Sequence, residues 1–355
     1  MPPTMSLLRG LPRPPPSHYL SALTLRPYST RKPSTTTTTT AAATTTPTTS
    51  DINPPASTRP APLDLPAALP SSAPTADKLK RYVTLGRAYL TFYKTGLKNV
   101  YHNYRASIPL RRELGLPLYL PTSPVFPPPT TATTPNGKGK GTGKQGSSQL
   151  TRSALQLTHR AAHDLRRLIP FSLLLVICGE LTPLVILVLG NAVTPFTCRV
   201  PGQIAKHRRR RAGIVRAVLA QHTGRVVARN PSGAERDLDV LRGFARPDWV
   251  ERASREEVLR ACAVFGLTGE RGPWAVGPLV EAVYRPRLRR YVQYLAVDDG
   301  LIRGAGGVAA MEGAEVRIAV EERGGVGVVE GAEGVEEGWE AERVERRWLE
   351  RWVQK

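Results

Sequence analysis

Carboxylates are missing where the chain begins. No Asp or Glu occurs from Met1 to Ser50, and the first acid is Asp51. Aromatic residues are only 6% of the chain, which argues against one large compact enzyme. The three cysteines, Cys178, Cys198 and Cys262, are odd in number and have no CxxC spacing, which excludes a disulfide scaffold and a zinc cage. The glycine-lysine run Asn136–Lys144 lacks the Gly-x4-Gly-Lys-Ser/Thr spacing of a phosphate loop, with Gln145 where the hydroxyl belongs. His159 and His163 are one helical turn apart without the Glu of HExxH, so they read as surface or headgroup residues. No catalytic, metal or cofactor constellation emerges, and an enzyme is not expected.

What is present is length and positive charge. A chain of 355 residues fits roughly two domains, but 33 Pro and 31 Gly gather largely in tracts unable to build a core. The net charge of +21 draws the chain to nucleic acid, ribosomes or anionic lipid. Residues 1–28 combine Arg9, Arg13 and Arg26 with many hydroxyls and no acid, the composition of a mitochondrial presequence. Arg26-Pro27-Tyr28-Ser29 fits a matrix-peptidase cut. A disordered Thr/Pro-rich spacer is expected over 29–76. Over 77–115, Tyr82, Leu85, Tyr89, Tyr93, Leu97, Tyr101 and Tyr104 recur at helical steps. That Tyr stripe suits packing on another helix, a membrane headgroup layer or RNA bases. Residues 116–149 read as a Pro/Gly/Lys linker, and 150–167 as a basic helix.

The segment 168–196 has one charged residue in 29, Glu180, and is long enough as a helix to cross a bilayer once. A mid-membrane carboxylate is costly, and Pro183, three residues on, frees the carbonyl of Gly179. Gly179, Glu180 and Pro183 therefore form a candidate intramembrane polar site, for cation or proton chemistry or for assembly with a neighbouring helix. A single helix encloses no pore, so transport requires a homo-oligomer. From Leu181 to Ala234 there is again no acid, and Lys206, Arg208, Arg209, Arg210 and Arg211 form a basic neck. In isolation that run resembles a nuclear signal; behind a presequence and an apolar segment it suits cardiolipin or ribosomal RNA on the matrix side.

Leu150-Thr151-Arg152, then Arg167, Pro170 and Phe171, then Gly179-Glu180 and Pro183, resemble the membrane segment of the LETM family. These are leucine-zipper, EF-hand transmembrane proteins of the inner mitochondrial membrane. Further along, Ser254-Arg-Glu-Glu257 is a capping box opening a helix that Gly266 closes. A helical stretch interrupted by Pro286 follows, then a turn at Asp298-Asp299, a helix over Ala314–Glu322, and a final stretch bearing Trp339, Trp348 and Trp352. That order is similar to the LETM ribosome-binding-like domain, and the likeness covers about Leu150–Lys355. The chain departs from the family in having no EF-hand calcium loop and no sustained heptads. Met311–Lys355 carries 12 acids and 7 bases, a net −5 that would repel RNA.

The resulting expectation is an all-α protein with a disordered N-terminal third, a single transmembrane helix over 168–196 and a matrix-side helical domain over 197–355. The resemblance implies binding to the mitochondrial ribosome, potassium/proton homeostasis and support of membrane-protein insertion. The alternatives are a direct cation/proton antiporter acting through Glu180 and, from another class, a nuclear nucleic-acid-binding protein.

Overall fold

Helical periodicity governs every regular element. The computed structural model describes residues 49–67, 69–70, 74–118, 123, 150–178, 194–223, 233–268, 280–329 and 338–354. Among these, all regular elements are helical, and all belong to one packed unit, Thr46–Lys355. A short α1 (Thr49–Ile52) precedes two long helices, α2 (Thr75–Glu113) and α3 (Arg152–Cys178). Then come α4 (Pro201–Thr223), α5 (Gly233–Phe244), α6 (Pro247–Arg252) and α7 (Arg255–Val264). A π-turn at Val280–Tyr284 leads into α8 (Arg285–Gly304), followed by α9 (Gly313–Glu322) and α10 (Trp339–Val353).

Local sequence explains several of these ends. Ser254 accepts from the Glu257 amide, and the Glu257 carboxylate accepts from the Ser254 amide at 2.8 Å, so the expected capping box opens α7. Gly266, at φ +67°, terminates it, a conformation that a side chain would strain. Pro286 does not interrupt α8; it sits in the first turn, where its missing N–H is not needed. Asp298 and Asp299 do not turn the chain either, because α8 continues through Gly304.

The main core joins α4 to α10. Val215 and Leu219 of α4, Leu241 of α5, Val258 and Cys262 of α7, and Leu288 and Leu295 of α8 are buried together. Val316 and Val320 of α9 and Trp348, Leu349 and Trp352 of α10 close it. Two residues from far upstream, Ile52 and Leu155, are fully buried in the same core.

Ile52 marks the largest departure from the sequence expectation. The spacer predicted over 29–76 is packed at its centre, where Asp51–Arg59 form a strap on the helical domain. The Ile52 carbonyl accepts from Arg152, and the Asn53 amide donates to the Ala310 carbonyl while its oxygen accepts from the Glu312 amide. Ser57 and Asn103 bond each other twice, and Arg59 pairs with Glu312 at 2.6 Å. Composition misses this because one apolar side chain and a few polar atoms, each with a distant partner, offset the ordering entropy.

α2 matches the helix expected over 77–115, but the Tyr stripe is not its packing face. The buried positions are Phe92, Gly96, Val100, Asn103, Ser107 and Arg111, whereas Tyr82 and Tyr101 are exposed. Gly96 is set by close approach: a Cβ there would lie 2.7 Å from Cys198 Sγ. The linker begins later than Leu116, since Arg111 donates to the Pro117 carbonyl and Tyr104 to that of Leu118.

α3 merges two predicted elements. It runs without a break from the basic stretch into the apolar one, through Pro170, which lies exposed inside the helix. Among the described residues no helix is long and apolar enough to cross a membrane. Of the segment 168–196, only 168–178 and 194–196 are described. Its two ends meet: Arg167 lies 3.5 Å from the Thr194 carbonyl, and Asp164 accepts from the Phe196 amide at 2.7 Å. Residues 179–193, which hold most of the expected crossing, lie outside the described residues.

Candidate functional site

α4 carries the basic neck, and helical geometry splits it. Ala212, Val215, Val218 and Leu219 face the core, and the same side holds two of the predicted bases. Arg208 pairs with Glu321 at 2.5 Å. Arg211 donates to the backbone carbonyls of Val264 and Glu321, each at 3.1 Å. Lys206, Arg209 and Arg210 are exposed on the opposite side, joined about two turns later by Arg216. The neck is thus not one cationic cluster. Arg208 and Arg211 clamp α4 to α7 and α9, and the other three, with Arg216, form an outward basic face.

Behind α4 lies a buried charge system absent from the sequence reading. Arg152, fully buried at the start of α3, donates to Asp298 of α8 at 3.0 Å. Arg323, just after α9, pairs with the other Asp298 oxygen at 2.8 Å and with Asp299 at 2.5 Å. Arg160 grips Glu315 through two 2.8 Å bonds. Gln156 reaches both Asp298 and the Tyr294 hydroxyl, and the Trp352 indole donates to Asp299. Burial would raise the Asp298 pKa, but Arg152 and Arg323 outweigh it and hold the carboxyl at about 2. Glu322, which accepts from Tyr294, is pushed up by burial and by the Asp298 charge. The network ties strap, α3, α8, α9 and α10 together.

Between this network and α4 opens a cleft of about 530 Å³, whose walls include His159, Arg160, Arg199, His207, Arg208 and Glu322. His159 stacks on Tyr294 at 4.5 Å rather than facing solvent or headgroups, which corrects the surface reading. Burial and neighbouring cations push His159 down to about 3 and His207 to about 4, so both rings are neutral near pH 7. The chemistry the walls offer is hydrogen-bond donation from guanidinium groups. Each of Arg160 and Arg208 is already held by a carboxylate of α9.

The remaining predicted residues are scattered. Phe171 is buried against Tyr93 of α2, ring centres 6.3 Å apart, and Arg167 reaches the Thr194 carbonyl, so this motif builds a packing junction. Gly179, Glu180 and Pro183 lie outside the described residues. Among its described residues, the net −5 region is not a bare acidic patch either. Glu312, Glu315, Glu321 and Glu345 are consumed by Arg59, Arg160, Arg208 and Arg317. Arg152 and Asp298 were visible as the ends of two noted motifs. A helix opening on an unpaired Arg and an Asp-Asp inside a helical run were the signals available. No protein-family model, curated protein or solved structure matches this chain.

Proposed function

We propose that the chain is a membrane-attached mitochondrial protein whose helical domain docks on the mitochondrial ribosome from the matrix side. In this reading it supports membrane-protein insertion and, through it, potassium/proton homeostasis, the role implied by the LETM resemblance. Three features of the sequence support it: the acid-free presequence-like start, the apolar segment 168–196 and the net charge of +21. One structural observation carries the docking part. The outward face of α4 presents Lys206, Arg209, Arg210 and Arg216 to solvent, while Arg208 and Arg211 hold the other side rigidly on the domain. A rigid comb of bases suits a polyphosphate surface, where affinity comes from counterion release. Phosphate contacts of this kind position a partner without reading its sequence.

The test is co-sedimentation of the detergent-solubilised full chain with mitochondrial ribosomes over a salt series. The log-affinity against log-salt slope should shallow by about one for each phosphate contact removed from Lys206, Arg209 and Arg210. A slope unchanged in the Lys206→Gln/Arg209→Gln/Arg210→Gln variant would remove the α4 face from the reading.

A further inference from the structure

Among the described residues, one end of the α2–α3 pair is apolar, basic and exposed. Thirteen large hydrophobic residues are exposed among the described residues, and eight of them lie there. On α3 they are Ile169, Leu173, Val176 and Ile177, a helical stripe opposite the buried Phe171. On α2 they are Leu79, Tyr82, Val83 and Leu90. The two helices run antiparallel. Tyr93 meets Phe171 at this end, and further in Asn103 and Arg160 meet adjacent strap residues, Ser57 and Thr58. Residues of α3 after Phe171 and of α2 before Tyr93 therefore project the same way.

A second stripe on α2 is cationic. Lys80, Arg87, Lys94, Lys98 and Arg105, spaced by seven or four residues, are all exposed and cover about 38 Å of helix. Between Asp77 and Glu113 the helix holds no acid at all. The apolar stripe lies between this basic row and the buried face, the arrangement of a helix at a lipid–water boundary. Topology points the same way. The flanks of the segment 168–196 touch, through Arg167 and Thr194 and through Asp164 and Phe196.

We propose that this end of the molecule docks on an anionic lipid bilayer from one side, with the α2 stripe in the headgroup layer and α2 and α4 on the same membrane face. The occupant is lipid rather than RNA because seven of the eight exposed groups are aliphatic and offer nothing for a base to stack on. The inference rests on the membrane-attachment part of the proposed function.

The experiment uses the full chain in a Cys178→Ser background, whose remaining Cys198 and Cys262 are buried. It is reconstituted into sealed vesicles of phosphatidylcholine, with or without phosphatidylglycerol. In the first arm the double variant Lys98→Cys/Arg209→Cys meets a membrane-impermeant maleimide, and the mass of each molecule is read. Docking from one side gives two labels or none. A population with one label means a single crossing and overturns the proposal while leaving attachment intact. In the second arm an environment-sensitive dye at Leu90→Cys should brighten severalfold, and be quenched by lipid-borne nitroxide, on phosphatidylglycerol vesicles. Changing Lys80, Arg87, Lys94, Lys98 and Arg105 to Gln should reverse this, each base counting about fivefold in partitioning. A Lys80→Arg/Lys94→Arg/Lys98→Arg variant should retain it. A Leu90 dye that stays in water on those vesicles, or that responds to ribosomal RNA alone, contradicts lipid docking. Failure of the chain to float with any vesicle would sink attachment and docking together.

Discussion

Arg152 and Arg209 are the same residue type in two regions of one molecule, and they do opposite things. Arg152 sits with Arg160 and Arg323 in the interior, each facing a carboxylate supplied from more than twenty residues away. Arg209 sits with Lys206 and Arg210 on the outer side of α4, in solvent. The interior set is committed to holding helices together. The outer set is exposed along α4. What separates them is not local composition but burial, and the +21 charge of the chain conceals the division.

The sharpest way to break the comparison is to remove the acid that serves two interior arginines. Asp298→Asn leaves Arg152 and Arg323 buried and short of their counter-charge, and about 3–5 kcal/mol of stability should be lost. Denaturant unfolding checks this. A loss below about 1 kcal/mol would put the interior set in the same class as exposed pairs.

Next is the strap. Ile52→Ala should cost about 2–3 kcal/mol, at the low end for a buried isoleucine because the strap has room to lift off. If residues 29–76 were only a spacer, the melting curve would not change.

A smaller effect belongs to the cleft between the two sets. His159 is held neutral, its pKa lowered to about 3 by burial and by adjacent cations. The unfolded chain takes up a proton near pH 6.5, before the folded one does, so this contribution is complete above that pH. It declines as pH falls from about 6.5 toward 3, by at most about 1.4 kcal/mol per pH unit. His159→Phe keeps the stack on Tyr294 and should flatten that part of a stability–pH profile. An unchanged profile would show that the ring is not buried neutral.

Legibility in the sequence follows the range of the interactions. The α7 capping box, its Gly266 stop, α9 and the Trp-bearing α10 could be read because three or four adjacent residues determine each. The basic neck was legible as a run but not as two faces, since only the helical period assigns Arg208 and Arg211 inward. Asp298-Asp299-Gly300 has the local signature of a turn, yet the helix continues because Arg152 and Arg323 neutralise both carboxylates. The strap and the meeting of Arg167 with Thr194 were beyond reach, as each depends on partners that nothing nearby announces. The bases of α2 are legible as residues off the Tyr stripe, but their alignment on one exposed face depends on which side of the helix packs.

The most direct test of the division between inward and outward bases is a paired measurement on α4. Lys206→Gln/Arg209→Gln/Arg210→Gln and Arg208→Gln/Arg211→Gln would each be assayed for melting temperature and for ribosome co-sedimentation at low salt. The outward variant should keep the wild-type melting temperature and lose binding, with a shallower salt dependence. The inward variant should melt earlier, because Glu321 and the Val264 carbonyl lose their donors. An outward variant that sediments like wild type, or an inward variant that melts like it, would contradict the division.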